Sequence, residues 1–318
     1  MLGYALRRAT FALSLVWAVS FVAFVSFGLS FDPLYRFNFC GEQCRPQKEA
    51  LAARFHLDDP ILERYWLWLS GLFHHGFGDF VPPSATSPST AIDPSLFRAL
   101  SVSAQLMATA LVLTVAFSIL IGVASARRPG TLVDVMLRLL AYVTWAMPAF
   151  LTAIVLARLL GGTGWFLFRP PGGGVVTWIR TMALPAVALS LGLIGVYSRY
   201  IRTASLTELH QPYAVVARAK GLSERRVAYR HALRNALVPF VGILSLDFAA
   251  IVGTSLAVDY VFHMGGLAFL LLGSLQEADP FGLTAIIVVV GAVVAVFTVL
   301  SDLALGWLDP RLRTGAST

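Results

Sequence analysis

The chain has 318 residues, 57% of them hydrophobic and 13% charged, with a formal net charge of +7. Soluble domains carry roughly 45–50% apolar and about 25% charged residues, so these side chains exceed what one globular core can hide, and the chain reads as an integral membrane protein. A pI of 9.8 is compatible with nucleic acid, but the Lys and Arg lie at the ends of apolar stretches, where they meet headgroups and cytoplasm, so the charge is read as topology.

Six stretches, 9–29, 100–126, 139–157, 181–198, 235–258 and 281–301, are free of charge apart from Asp247 in the fifth. Each approaches the about 20 residues that a helix needs to cross ~30 Å of hydrocarbon. Helices are expected because lipid leaves no solvent partner for a backbone amide, and the runs are too long for barrel strands. The predicted fold is all-α and polytopic, with six transmembrane helices and both termini on one side. Arg7, Arg8, Arg127, Arg128, the 199–234 segment, Arg311 and Arg313 fall on one face and mark it as cytoplasmic. The 259–280 loop has Asp259, Glu277 and Asp279 but no Lys or Arg, as suits the outside. Arg158, Arg169 and Arg180 point weakly the other way.

In chain order, residues 1–30 form the first span. Arg7-Arg8 ahead of an apolar run also fits a signal peptide, but the run is long and no small-x-small cleavage site closes it, so an uncleaved span is expected. Residues 31–99 form a long external segment, which should contain structure. Cys40 and Cys44 lie in it, where an oxidising compartment permits a disulfide; two free thiols are the alternative, and a zinc site lacks ligands beyond His56. Pro60 suits a first helical position, and Ile61, Leu62, Tyr65, Trp66, Leu69, Leu72 and Phe73 follow at helical spacing, predicting an amphipathic helix on the membrane face. Residues 82–89 have a linker's composition.

Residues 100–318 hold the other five spans. Between the third and fourth, Gly161-Gly162-Thr163-Gly164 and Pro170-Pro171-Gly172-Gly173-Gly174 break regular helix, and no Lys-Ser or Lys-Thr follows to make a phosphate loop. The cytoplasmic segment at about 204–239 is the most informative. From Arg199 to Arg234 the chain has eight basic and two acidic side chains, a net +6 of the whole chain's +7. Pro212 can open a short helix and Gly221 can end it; Ser223 can cap a second helix through Val227, Ala232 and Leu237. The small side chains of Ala214, Ala217 and Ala219 would let a partner approach the backbone, while Arg218, Lys220, Arg225 and Arg226 would reach for acidic groups.

Ala217-Arg218-Ala219-Lys220-Gly221-Leu222-Ser223 and Arg230-His231-Ala232-Leu233-Arg234-Asn235-Ala236-Leu237-Val238-Pro239 resemble the EAA loop of ABC importer permeases, in the variant of the dipeptide/oligopeptide/nickel family. The broader EAA pattern would place an acid at Val215 and proline at Arg234. Leu57-Asp58-Asp59-Pro60, Tyr65-Trp66 and Gly76-Phe77-Gly78-Asp79 resemble the external loop of the B-type subunit. Asp259-Tyr260-Val261-Phe262 with Gly266-Leu267 resembles the segment after span five, with Asp259 for the usual Glu, Gly265 for Pro and Ala268 for Gly. Asp309-Pro310-Arg311-Leu312-Arg313 matches the family's ending.

The resemblance implies a subunit of the bacterial cytoplasmic (inner) membrane that pairs with a homologous second permease. Two nucleotide-binding ATPase subunits or domains would dock on the EAA helices, through Tyr213, Ala217, Arg218, Ala219, Lys220, Gly221, Leu222, Arg225 and Arg226 here. An extracytoplasmic substrate-binding protein would deliver the cargo, most simply a peptide. No Gly-x-x-x-x-Gly-Lys-Ser/Thr loop occurs in the chain, so ATP and Mg belong to the partner subunits and no cofactor, metal or catalytic residue is expected here. Asp247 and Asp259 are the pathway or gate candidates: for Asp247, substrate contact and pairing with a neighbouring subunit both stand, because an unpaired charge in the membrane costs at least ~2.5–3.5 kcal/mol. The competing class, a proton-coupled secondary transporter, would want paired broken helices in an inverted repeat and more buried carboxylates.

Overall fold

The computed structural model describes residues 2–39, 41–82 and 89–308. Most of the 82–89 linker, Cys40 and the 309–313 ending lie outside the described residues. In chain order, the helices are α1 (Leu2–Ser30), α2 (Arg45–Arg54), α3 (Ile61–His75), α4 (Ile92–Arg127), α5 (Leu132–Ala146), α6 (Ala149–Leu160), α7 (Val175–Leu209), α8 (Pro212–Ala219), a single turn α9 (Glu224–Arg226), α10 (Leu233–Phe262), α11 (Leu267–Gln276) and α12 (Pro280–Leu308). A π-helical turn, Val227–Ala232, joins α9 to α10. Among the described residues the only β pairing is an isolated bridge between Asp79 and Ala91.

Among the described residues, five helical stretches are long and apolar enough to cross a membrane, and α5 with α6 makes a sixth when the pair counts as one span. The third span is therefore not the straight helix expected over 139–157: α5 and α6 meet at a 98° bend. Met147 is extended, at φ −91° and ψ 118°, as the residue before a proline prefers, and Pro148 has no N–H to continue the ladder. The Pro148 carbonyl instead accepts from the Thr152 amide at 3.0 Å and starts α6.

Internal contacts divide the chain into two compact units, one of Met1–Leu6, Ser103–Met264 and Phe297–Thr318, the other of Arg7–Val102 and Gly265–Val296. The first is built around α7. Tyr197 and Ile201 are fully buried among Val123 of α4, Ala214 and Ala217 of α8, Val227 and Ala232 of the π turn, and Phe240 and Ile251 of α10. Helices in lipid gain little from apolar burial alone and associate by close contact at small residues. Two glycines provide that contact: a Cβ at Gly122 would stand 2.7 Å from the Ser198 carbonyl oxygen, and one at Gly195 would stand 2.5 Å from that of Ala141. The backbone of α7 is thereby pressed against α4 and α5.

In the second unit the amphipathic α3 forms as its spacing predicts, although Pro60 is its N-cap rather than its first helical residue. Tyr65 turns inward, its hydroxyl 2.9 Å from Ser20 Oγ and its ring edge-on to Phe21 and Phe24 of α1. Leu62, Trp66 and Phe73 turn outward. Cys44 is buried with Leu34 and Phe37 and is disulfide-bonded; the chain's other cysteine, Cys40, is outside the described residues.

Asp279, buried to 1%, caps α12: its Oδ1 accepts from the Phe281 and Gly282 amides at 3.0 and 3.2 Å, and its Oδ2 from Val81 at 3.2 Å. Burial pushes its carboxyl up to about 6, with the Glu277 charge adding to the rise and the three amides opposing it.

Two outcomes are expected. Gly195→Leu should separate α5 from α7 and cost about 1–3 kcal/mol of overpacking, seen as a lower melting temperature of the detergent-solubilised protein. For Asp279, the folded-state pKa lies above the about 3.9 of an unfolded chain, so its contribution to stability is fully present below about pH 4 and lost as the pH rises through about 6. Asp279→Asn, which keeps an acceptor, should flatten that decline when melting temperature is followed between about pH 4 and 7.

Candidate functional site

The loop between α7 and α10 folds as a bracket. Gln211 is extended, and Pro212 opens α8, where its missing N–H and fixed φ cost nothing. Gly221 ends the helix at φ +78°, in a motif in which the Gly221 amide donates to the Arg218 carbonyl at 2.9 Å and the Leu222 amide to that of Ala217 at 3.2 Å. This is the doubly bonded Schellman ending that satisfies the last carbonyls and favours glycine in the left-handed position.

Two side-chain staples hold α8 to its neighbours. The Tyr213 hydroxyl donates to Glu208 on α7, and Asn235 on α10 donates through Nδ2 to the Tyr213 oxygen at 3.1 Å and to Glu208 Oε2 at 3.3 Å. Burial first, and then the Glu208 bond, push the Tyr213 hydroxyl upward, so it remains a donor across neutral pH. On the other side, Arg218 Nη1 donates to the Leu209 carbonyl at 2.9 Å while Nε donates to Glu224 Oε1 at 2.6 Å. Tyr213 and Arg218 thus act within the subunit.

The alanines divide in the same way. Ala214 and Ala217 are buried against the subunit's own core rather than offered to a partner, whereas Ala219, Lys220 and Gly221 are exposed, as are Val215 and Val216. Leu222 packs against the core. Arg225 and Arg226, on the single turn α9, are exposed. The outer face of the bracket is therefore Val215, Val216, Ala219, Lys220 and Gly221 with Arg225 and Arg226 beside it, an apolar strip edged by cations. Ser223 is the N-cap of α9 but makes no side-chain cap bond.

Behind the bracket, a buried ion pair ties α7 to α4 and α5. Arg202 grips Asp134 with both arms, Nε to Oδ1 at 2.8 Å and Nη2 to Oδ2 at 2.9 Å. Ser125 at the end of α4 donates to the same carboxylate, as does the Gly130 amide at 3.0 Å, and the more exposed Arg138 stands 3.6 Å away. Such a two-pronged guanidinium–carboxylate pair fixes orientation as well as distance. Sequence reading misses Asp134, Arg202, Glu208 and Asn235 as partners, because Arg202 and Asp134 are 68 residues apart and nothing in their spacing signals the contact.

Of the two intramembrane candidates, Asp247 accepts from the Tyr197 hydroxyl at 3.0 Å and lines a cavity of ≈ 220 Å³ between α6, α7 and α10, with Trp145 at its mouth. Asp259 is buried to 1% near the end of α10, where its carbonyl accepts from the Met264 amide at 3.2 Å. The two carboxylates are not brought together into one site.

Residues 118–314 match the family described as binding-protein-dependent transport system inner membrane component, and residues 1–116 match the N-terminal region of such a membrane component. The chain belongs to this family. It is the permease subunit of an ABC importer, a multi-pass protein of the inner membrane, and ATP hydrolysis lies in partner proteins. The permease is 30% identical to the oligopeptide transport system permease protein OppB of Salmonella typhimurium over 98% of this chain and 100% of that one. It is 28% identical to AppB, an oligopeptide transport system permease protein of Bacillus subtilis, with coverage of 98% and 100%. Its fold resembles a chain of the inward-facing MetNI methionine ABC transporter, with a TM-score of 0.50 at 16% identity, covering 69% of the permease and 96% of that chain.

Arg202→Met in the permease should leave Asp134 buried with only Arg138 nearby, at a cost approaching the about 3–5 kcal/mol of a broken buried pair. Lys220→Ala, on the exposed face, should stay within about 0.5 kcal/mol. Thermal unfolding of the two purified variants checks the contrast.

Proposed function

We propose that this permease imports peptides and that its α8 bracket is the seat on which a nucleotide-binding subunit docks. The observation that carries the docking is the bracket's construction. Its start is tied to α7 and α10 by the Tyr213–Glu208–Asn235 staple and its end to α7 and α9 by Arg218, through the Leu209 carbonyl and Glu224, while its outer face of Val215, Val216, Ala219 and Lys220 is exposed. A force applied to α8 would pass through those staples into α7 and α10 with little loss to bending. Arg225 and Arg226 supply a positive rim for an acidic groove. Support for a peptide cargo comes from the relatives, several of which are named for oligopeptides or dipeptides.

In this reading a homologous second permease completes the pathway, two ATPase subunits or domains move the paired brackets, and an extracytoplasmic binding protein presents the peptide. The π turn between α9 and α10 is part of the same lever. Its widened backbone, with Val227, Ala228 and Ala232 buried, joins the bracket to the membrane helix, and such turns recur at functional positions. Asp247, with Tyr197 beside it, would meet either the cargo or the neighbouring subunit, and Asp259 would act at the outer end of the same helix.

Gly221→Asp is the direct test. A Cβ at Gly221 would meet nothing within 4 Å, and aspartate tolerates the left-handed region better than most residues, so the change leaves the subunit able to fold. Uptake of a labelled tripeptide by cells carrying the variant should fall by at least about tenfold, or about 1.4 kcal/mol in coupling, with the amount of permease in the membrane unchanged. Normal uptake would remove the docking role. Absence of peptide uptake by the wild-type transporter, with its ATPases active, would remove the peptide reading instead.

A further inference from the structure

The second unit contains a half-open cavity of ≈ 330 Å³ where the end of α2, the side of α3 and the first turn of α12 converge. One of its walls, α3, contributes two polar groups that have lost water and gained no partner. Arg64 Nε and Trp68 Nε1 are both buried, and neither has a hydrogen-bond partner. Guanidinium and indole nitrogens can only donate. A buried donor left alone is costly, and in native proteins it ordinarily finds an acceptor.

Three protein acceptors around the cavity already have a partner of their own. Asp79 is held by Arg54, Asp59 Oδ2 lies 3.0 Å from His56 Nδ1, and the Gly78 carbonyl takes the Ile92 amide at 2.9 Å. Two guanidinium groups, Arg54 and Arg64, and one carboxylate, Asp79, line the cavity, and the Asp59 carboxylate acts on Arg64 from outside the lining. Burial lowers the Arg64 pKa, and only the field of Asp59 opposes that. What the two donors lack is an acceptor, and an oxyanion with several oxygens could serve both.

Its position narrows the chemistry further. Phe281, on the cavity wall, lies in the first turn of an apolar helix long enough to span a membrane, and its ring stacks on Phe55 at 5.1 Å. Beside it, α3 turns out Leu62, Trp66 and Phe73, which are 62%, 67% and 81% exposed, an apolar face of the kind that suits a helix lying on a membrane surface. Cationic and aromatic groups at that depth are at the level of headgroup phosphates.

We infer that this cavity binds a phosphate group, with Arg64 Nε and Trp68 Nε1 donating to its oxygens and Arg54 adding charge. An anionic phospholipid seated at the end of α12 and free phosphate are its two sources. The site uses no residue of the coupling loop and does not depend on the cargo.

The assembled transporter, purified in mild detergent and stripped of lipid, tests this by native mass spectrometry with added phosphatidylglycerol, and separately with inorganic phosphate. Wild type should retain one phosphatidylglycerol in this site per permease. Arg64→Gln and Trp68→Phe should each weaken that binding by about tenfold, the worth of one charge-assisted hydrogen bond. Phosphatidylglycerol held against millimolar inorganic phosphate identifies the lipid as the source; displacement, or phosphate binding without lipid, identifies the free anion. The inference fails if neither probe binds the wild type, or if both variants bind as the wild type does while eluting as intact assemblies.

Discussion

The forked ion pair between Arg202 and Asp134 is the contact on which the permease core turns. It lies where the ends of α4, α5 and α7 converge, with Asp134 at 1% exposure and the Arg202 side chain at 20%. A pair in that position has little to gain in net energy over an apolar packing, but it permits only one relative orientation of the helices that carry it. Gly122 and Gly195 then let the α7 backbone touch α4 and α5 above the pair. With α7 so constrained, the two staples at its end transfer that definition to α8, and the bracket becomes a solid extension of the membrane helix instead of a flexible loop.

The same logic accounts for how charge is spent along 199–234. Taken as a list of cations, the segment is an undifferentiated positive loop. In the folded chain Arg202 and Arg218 are consumed internally, Lys220, Arg225 and Arg226 remain at the surface, and Arg199 lies over the rings of Tyr142 and Trp145 at 4.8 and 4.7 Å. Orientation in the membrane needs all of them, because the field at the headgroups responds to their sum. Recognition of a partner can use only those that are left free. The cavity around Arg64 and Trp68 is the complementary case, where two buried donors have no protein acceptor and the inferred phosphate would supply one.

Much of this architecture is legible from residue order because lipid imposes a local rule. A backbone amide in hydrocarbon must be satisfied within its own segment, so an apolar run of sufficient length declares a helix without reference to its neighbours. The Pro212 start and Gly221 end of α8 are legible for a similar reason, since ring closure and a missing Cβ act on the residue itself. The α3 face is readable from spacing alone. The bend at Met147–Pro148 was open to the same reasoning, but the absence of charge on either side made the run look continuous. The π turn at Val227–Ala232 leaves no comparable mark in its composition.

By itself, the order of residues determined the membrane class, the number of apolar stretches and the short capped helix that carries the family motif. Tertiary structure alone decided which members of that motif face outward. Ala217 and Arg218 turned to their own subunit, and Glu208, Asn235, Asp134 and Tyr197 became partners of residues far along the chain. The division follows from range: helix formation, capping and charge placement are set within about one turn of chain, whereas a buried side chain's partner is chosen by helix packing, which brings together residues whose separation in sequence has no characteristic value.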